Sequence, residues 1–374
     1  MTQSPCIVLT GGGTGGHIMP ALAVAGALQR IAPTAEIHYV GNVNSMEAEF
    51  AEAYGLPFHG LKLHPFMGKP ILTRIRALAA IPPALFRARK ILKKVHAQAA
   101  VAFGGYVCTA VGIMAPRTGV PLIVQEQNAV PGRTTRLLSK RASLVCTGME
   151  QAAEFLTTKK ILFTGNPIRP EINVVGRKPK PAFEPLRLLV MGGSQGAAFL
   201  NEQGPEVART LSEHGRDLRV HHQVGRGDVH AVKAAYAQVG VEAKVESFIK
   251  DMASVYAENH IALARSGALS VSELWGSATP SVFVPFPFAV DDHQTLNAGA
   301  MALNGAAQVI QQSESTTEKL ANAVLSLTQS QEQYNALRIS LNESAPEDAA
   351  SEIAQEILHL AGYTAQLESQ GGVA

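Results

Sequence analysis

The chain has 374 residues, 46% hydrophobic and 17% charged, with a net charge of +2 at neutral pH. That is the balance of a globular protein long enough for two domains with full cores. No window holds the roughly 18 uninterrupted apolar residues of a membrane span, Met1–Pro5 lacks the basic start of a secretory leader, and Cys6, Cys108 and Cys146 are too few and too oddly spaced for a metal or disulfide framework.

The charge is uneven. Residues 1–167 carry 17 Lys/Arg against 7 Asp/Glu, a net of +10, and the remainder carries 15 against 23, a net of −8. A basic first half points to an anionic partner: nucleic acid, phosphates or an acidic lipid surface.

In chain order, the first strand is expected at Cys6–Thr10, followed by Gly11-Gly12-Gly13-Thr14-Gly15-Gly16-His17 and a helix. A strand, a glycine turn and a helix start make an anion site, where backbone N–H groups converge and the helix dipole adds positive charge. The turn fits Gly-x-Gly-x-x-Gly. Yet the second expected strand, 36–40, ends Tyr39-Val40-Gly41-Asn42, with no acid to hold the ribose of a nicotinamide or flavin cofactor. Gly-Lys-Ser/Thr is absent as well. His17 reads either as an ordinary helix-start histidine or as a group that deprotonates a hydroxyl.

The stretch Lys69–His96 holds eight Lys/Arg and no acid, interleaved with apolar residues and broken by Pro82-Pro83. It reads as two amphipathic helices with solvated basic faces, or as a surface for an anionic bilayer. Nucleic acid is not expected, since aromatics are sparse and no nucleic-acid motif is present. A strand at 99–103 leads into Gly104-Gly105-Tyr106, and one at 122–125 into Glu126-Gln127-Asn128. Glu126 reads as a cleft carboxylate or a helix-start charge. Strands at 144–147 and 161–164 complete the first half. A polar, Pro-rich junction follows from Gly165 to Pro185.

The second half repeats the design. A strand at 186–191 precedes Gly192-Gly193-Ser194-Gln195-Gly196-Ala197. Further strands are expected at 218–223, 244–247, 260–264, 281–285 and 307–310. The strand ending at Ala264 runs into Arg265-Ser266-Gly267 and the segment Ala268 to Glu273, where Glu273 could hold a ribose diol. Beyond Pro285 come Asp291-Asp292-His293-Gln294 and Asn297, suited to sugar hydroxyls; the acids and His293 lack further spaced ligands, so no metal is expected there. The alternation gives an α/β fold of two Rossmann-like, doubly wound parallel-sheet domains facing a cleft. The expected boundaries are 1–166 and 167–346, with a helix near 347–362 crossing back to the first domain and a tail at 363–374.

Together, Gly12–His17, Gly104–Val107, Glu126–Asn128, Gly165–Arg169, Gly192–Ala197, Phe248–Met252, Arg265–Glu273 and His293–Asn297 resemble, in order and over almost the whole chain, the MurG family of glycosyltransferases. The resemblance implies the GT-B fold. It implies an inverting, metal-free transfer from UDP-N-acetylglucosamine to a polyprenyl-pyrophosphoryl-N-acetylmuramoyl-pentapeptide, for peptidoglycan synthesis at the cytoplasmic face of the bacterial inner membrane, with no cofactor. Other cell-wall synthesis proteins are implied as neighbours.

By motif, Ile249 would meet the uracil through its backbone, Glu273 the ribose and Ser194 the pyrophosphate. Ala268, Leu269, Ser270, Val271, Ser272 and Gln294 would lie on the donor side. Thr14, Gly15, Gly16, Asn128 and Arg169 would close across the cleft, and Gly13, Gly104, Gly105 and Tyr106 would receive the acceptor pyrophosphate. His17 is the first candidate base and Glu126 the second. Two departures stand out: Gln125 occupies a position where the family commonly has histidine, and Cys108-Thr109-Ala110 replaces Ser-Gly-Pro. The rivals are another lipid-acceptor UDP-sugar transferase, or a UDP-sugar epimerase or hydrolase of the same fold.

Overall fold

The computed structural model describes residues 4–64, 79–158, 160–193 and 196–363. Ser194 and Gln195 of the second glycine turn, residues 69–78 of the basic stretch and the tail from 364 onward lie outside them.

Two parallel sheets organise the chain. The first holds β1 (Cys6–Thr10), β2 (Glu36–Asn42), β3 (Phe58–Leu61), β4 (Ala99–Ala102), β5 (Leu122–Glu126), β6 (Leu144–Thr147) and β7 (Ile161–Phe163), in the order β3-β2-β1-β4-β5-β6-β7. The second holds β8 (Leu186–Met191), β9 (Leu218–Gln223), β10 (Glu242–Glu246), β11 (Ile261–Ala264), β12 (Ser281–Phe283) and β13 (Ala307–Val309), in the order β10-β9-β8-β11-β12-β13. In register, Leu9 of β1 lies between Tyr39 and Val101, and Val190 of β8 between His222 and Leu263. The central strands β1, β4 and β11 are buried along their whole length, which is why they read as continuous apolar runs rather than as alternating patterns. The short β3, with Phe58, His59 and Gly60 only half-buried, was not expected, and β10 begins two residues before the expected Lys244.

Fourteen α-helices lie among the described residues. They are α1 (Gly15–Ile31), α2 (Met46–Ala53), α3 (Ile81–Lys94), α4 (Cys108–Arg117), α5 (Arg133–Ser139), α6 (Pro170–Gly176), α7 (Ala198–Glu213), α8 (Val229–Gln238), α9 (Met252–Glu258), α10 (Ala268–Gly276), α11 (His293–Leu303), α12 (Thr317–Leu327), α13 (Gln331–Ser344) and α14 (Ala349–Leu360). Pro82-Pro83, expected to break a helix, instead stand in the first turn of α3, where a missing N–H costs nothing. Helix α14 is capped by Asp348, which accepts from Ser351 N. It buries Ile353 and Ile357 in the same apolar cluster as Leu22, Ala25 and Leu28 of α1, so the end of the chain is part of the first sheet's core. The cluster under the second sheet takes in Ala129 and Met149 from the first half, and apolar packing therefore runs through the junction.

Strand order reverses between β1 and β4 in one sheet and between β8 and β11 in the other. Ligands of open α/β sheets bind in the crevice beyond the strand ends at such switch points. The four turns that follow these strands all carry glycine: Gly11–Gly16, Gly104-Gly105, Gly192–Gly196 and Arg265–Gly267.

Candidate active site

Five of the fourteen described helices start with a side-chain cap, and the helices of the rim are among the nine that do not. Helices α8, α9, α12, α13 and α14 start with a side chain (Asp228, Asp251, Thr316, Ser330, Asp348) accepting from a first-turn N–H. Helices α1, α7 and α10, which follow the glycine turns, start at Thr14, Ala197 and Gly267 with no such bond among the described residues. These helix starts stand at the switch-point ends of the strands, where an anion would bind.

On the first-domain rim, His17 is half-buried in the first turn of α1. Its Nδ1 lies 3.0 Å from Gly12 O, a carbonyl that can only accept. Nδ1 therefore carries the proton and Nε2 keeps its lone pair. Burial lowers the His17 pKa below the ordinary 6.5, against the opposing pull of Glu126, the Gly12 bond and Glu47. The ring packs on the second turn: a Cβ on Gly104 would come within 2.7 Å of its Cδ2 and 3.0 Å of its Nε2. Gly104 and Gly105 have φ of 99° and 81°, which only glycine adopts readily. A Cβ on Gly13 would lie 3.8 Å from the Tyr106 ring, and the Tyr106 hydroxyl accepts from Asn42 Nδ2 at 3.4 Å. Gly13, Thr14, Gly15, Gly16, His17, Gly104, Gly105 and Tyr106 therefore form one patch.

Glu126 sits differently from its role as second candidate base. Its Oε1 accepts from Asn128 N at 2.9 Å and Asn128 Nδ2 at 3.2 Å, and its Oε2 from Gly132 N at 3.0 Å. The carboxylate is 3% exposed and holds its own loop. That loop is tied to the other half: buried Asn297 accepts from Ala129 N at 2.8 Å and donates to Ser266 O at 3.1 Å and to Asn128 Oδ1 at 3.3 Å. Behind it, Gln125 Nε2 donates to Asn166 Oδ1 at 3.0 Å, and Asn166 Nδ2 donates to Gln127 O and to Ser272 Oγ, both at 2.9 Å. Gln125, the departure from the family's histidine, is thus a buried support of Asn166, which joins the two halves.

On the second-domain rim, Gly193 and Gly196 have φ of 75° and 74°. A Cβ on Gly193 would lie 3.9 Å from Ser270 Oγ, so the turn after β8 meets the start of α10, where Ala268 and Leu269 also lie. Two helix starts therefore converge there. Glu273 accepts from the Tyr256 hydroxyl at 2.9 Å and pairs with Arg169 at 3.3 Å; burial raises its pKa, with Arg169 and Tyr256 pulling the other way. Arg169, expected to close across the cleft, lies instead on the Glu273 side and also donates to Lys250 O at 3.3 Å. Ile249 is buried in the second core. Val271 is fully buried, and Ser272 Oγ is spent between Ala268 O and Asn166. The side chains of these two motif positions are therefore taken up in the framework. Gln294 Oε1 accepts from Phe286 N at 3.0 Å. Asp291 and Asp292 turn at φ of 53° and 48°, and Asp291 reaches Arg136 of the first half at 3.5 Å. Strained residues of this kind gather at functional rims.

Asn42, Glu47 and Tyr39 escaped the sequence reading. Tyr39 donates to Gly11 O at 2.9 Å. Buried Glu47 accepts from Asn42 N at 3.1 Å and backs Gly12 so closely that a Cβ there would run into it. The signal was faint: an acid two residues past Ser45, at the start of α2.

Two doubly wound domains, each offering uncapped helix starts to a shared cleft, define the GT-B class of glycosyltransferases. The model of the glycosyltransferase family 28 N-terminal domain matches residues 7–147, and that of the family 28 C-terminal domain matches residues 187–357. A UDP-N-acetylglucosamine–N-acetylmuramyl-(pentapeptide) pyrophosphoryl-undecaprenol N-acetylglucosamine transferase of Aeromonas hydrophila is 38% identical over 98% of this chain and all of its own length. One of the same description from Desulfotalea psychrophila is 36% identical over 94% of this chain and 96% of its own. The crystal structure of Acinetobacter baumannii MurG superposes with a TM-score of 0.78 at 30% identity, covering 96% of this chain and all of that one. The chain belongs to the MurG family of N-acetylglucosaminyltransferases, within glycosyltransferase family 28.

Proposed function

We propose that this enzyme moves N-acetylglucosamine from UDP-N-acetylglucosamine to the C4 hydroxyl of undecaprenyl-pyrophosphoryl-N-acetylmuramoyl-pentapeptide, with inversion at the anomeric carbon. The observation that carries the reading is the full-length likeness to transferases whose description states that donor, acceptor and sugar. An epimerase or hydrolase is not favoured: it needs no second anion crevice, whereas the first-domain turns form one beside His17.

In this reading the turn after β8 and the start of α10 take the donor pyrophosphate. Glu273 takes the ribose, since each carboxylate oxygen keeps a second acceptor site besides its Tyr256 or Arg169 bond. The Ile249 main chain takes the uracil, and Ala268, Leu269 and Gln294 the sugar. Gly13, Gly104, Gly105 and Tyr106 take the acceptor pyrophosphate.

The C4 oxygen bonds to the anomeric carbon as the bond to the β-phosphate oxygen breaks, and its proton passes to Nε2 of His17. Burial keeps that imidazole neutral at pH 7, as a base must be. The departing pyrophosphate gains charge against helix-start N–H groups already in place, which lowers the barrier without reorganisation. Glu126 acts through Asn128 and the loop rather than on a proton.

A polyprenyl acceptor requires contact with a bilayer. Helix α3 presents Phe86, 71% exposed, beside Arg89, Lys90, Lys93 and Lys94 around one surface depression. An apolar tip ringed by cations suits an anionic leaflet, with each cation contributing about 1 kcal/mol. The enzyme is then peripheral, on the cytoplasmic face of the inner membrane, among the other cell-wall synthesis proteins. No described helix is long and apolar enough to cross a membrane.

The test is mass spectrometry of the protein incubated with UDP-N-acetylglucosamine and a short-chain acceptor. A product heavier by one N-acetylhexosamine, with UDP released only when acceptor is present, is expected. UDP release without acceptor would overturn the reading.

A further inference from the structure

At the opposite end of the first sheet from the cleft, Cys6 opens β1 and Glu36 opens β2 in direct register. His38 follows two residues along β2, on the same face. The Cys6 sulfur, a Glu36 carboxylate oxygen and a His38 ring nitrogen all lie within 4.8 Å of one another. His38 Nε2 is 3.9 Å from Glu36 Oε2, too long for a hydrogen bond. Two ligands held at about 2.1 Å from one tetrahedral metal stand ~3.4 Å apart, which a small rotation of the exposed Glu36 would reach. The other ring nitrogen, His38 Nδ1, lies 3.2 Å from Nε2 of His59 on β3. If Nδ1–H donates to His59, Nε2 is left as an acceptor on the Glu36 side, free to ligate a cation.

We infer that Cys6, Glu36 and His38 form a three-ligand site for a borderline divalent cation of the zinc class, with a fourth position open to water and His59 holding His38 in its ligating tautomer. One sulfur, one nitrogen and one oxygen suit zinc or cobalt better than magnesium or calcium. A ring N–H bonded behind a ligating histidine is the usual second support of such sites. Burial pushes the Cys6 thiol up to about 11, so the metal must displace a proton: the S–H bond breaks, the S–metal bond forms, and the proton leaves to water. The glycine turn after β1 stands at the other end of that strand, so the site is structural. It would pin the starts of β1 and β2 together.

The experiment titrates cobalt(II), without oxygen, into the untagged full-length protein and follows the thiolate-to-cobalt charge-transfer band in the near ultraviolet. One equivalent with micromolar affinity, displaced by zinc, is expected. Cys6→Ser should abolish the band. His38→Gln and Glu36→Gln should each weaken binding at least about tenfold, and His59→Ala about 10–100-fold, with transferase activity unchanged in all four. If Cys6→Ser fails to fold, the exposed Glu36→Gln still decides the matter. Absence of the band in the intact protein overturns the inference, as does a band that survives Cys6→Ser and so belongs to buried Cys108 or Cys146.

Discussion

Gly104→Ala tests whether the His17 ring is held where catalysis needs it. The added methyl would sit 2.7 Å from His17 Cδ2 and 3.0 Å from Nε2, whereas carbon atoms rest at about 3.5–4.0 Å. The ring must yield by about 1 Å, and a misplacement of that size costs on the order of 100-fold in rate. At φ 99° the alanine also strains the backbone by about 1–3 kcal/mol, so thermal unfolding must be measured alongside the rate.

Turnover of short-chain acceptor at saturating substrates should fall about 100-fold, while the KM for UDP-N-acetylglucosamine stays near that of the unaltered enzyme. His17→Ala should lose about 10²–10⁴-fold. The double variant should be no slower than His17→Ala, because both changes remove the same event. Near-normal turnover in Gly104→Ala with a lowered melting temperature would refute the reasoning, as would a double variant slowed by the product of the two losses.

The remaining predictions concern pH, junction, donor and membrane. Because burial holds the His17 pKa below 6.5, the neutral base persists as pH falls past that value, and the acid limb of kcat/KM should lie below it; a limb at or above 6.5 contradicts the assignment. Asn297→Ala strands the buried Ala129 N–H and should cost about 1–3 kcal/mol in urea unfolding; no measurable loss would show that water replaces the amide. Glu273→Ala removes a charged acceptor worth about 1.5–3 kcal/mol. It should raise the donor KM ten-fold or more and leave the acceptor KM alone, and an unchanged donor KM would move the ribose elsewhere. Replacing Lys90, Lys93 and Lys94 with Gln should weaken binding to anionic vesicles by about 3 kcal/mol; undiminished flotation with such vesicles would dismiss α3 as the docking surface.

Much of the fold was legible because the central strands are buried on both sides. Runs such as Cys6–Thr10 and Leu186–Met191 announce themselves without periodicity, and the glycines mark where each strand hands over to a helix. The half-buried β3 was illegible, since Phe58-His59-Gly60-Leu61 carries neither a continuous apolar run nor clean alternation. At the site, residue type was a better guide than role. His17, Glu126 and Glu273 were visible as polar groups after apolar strands. That Glu126 spends both oxygens on its own loop, and that Arg169 stands with Glu273, depends on where loops 128–132 and 165–169 travel in space. Asn297 and Glu47 were harder still, because their partners lie in other elements of the fold.

The chain passes between the halves twice, near Gly165–Arg169 and again at Ala345-Pro346-Glu347, before α14 settles on α1. These passes touch: a Cβ on Gly165, at φ 78°, would collide with the Pro346 ring, and Glu347 pairs with Arg177 at 3.2 Å. A single tether would let one body tumble about the other. Two tethers pressed together would leave chiefly a swing about the line of their contact, so that any opening of the cleft would follow one arc and bring the two rims back in the same alignment.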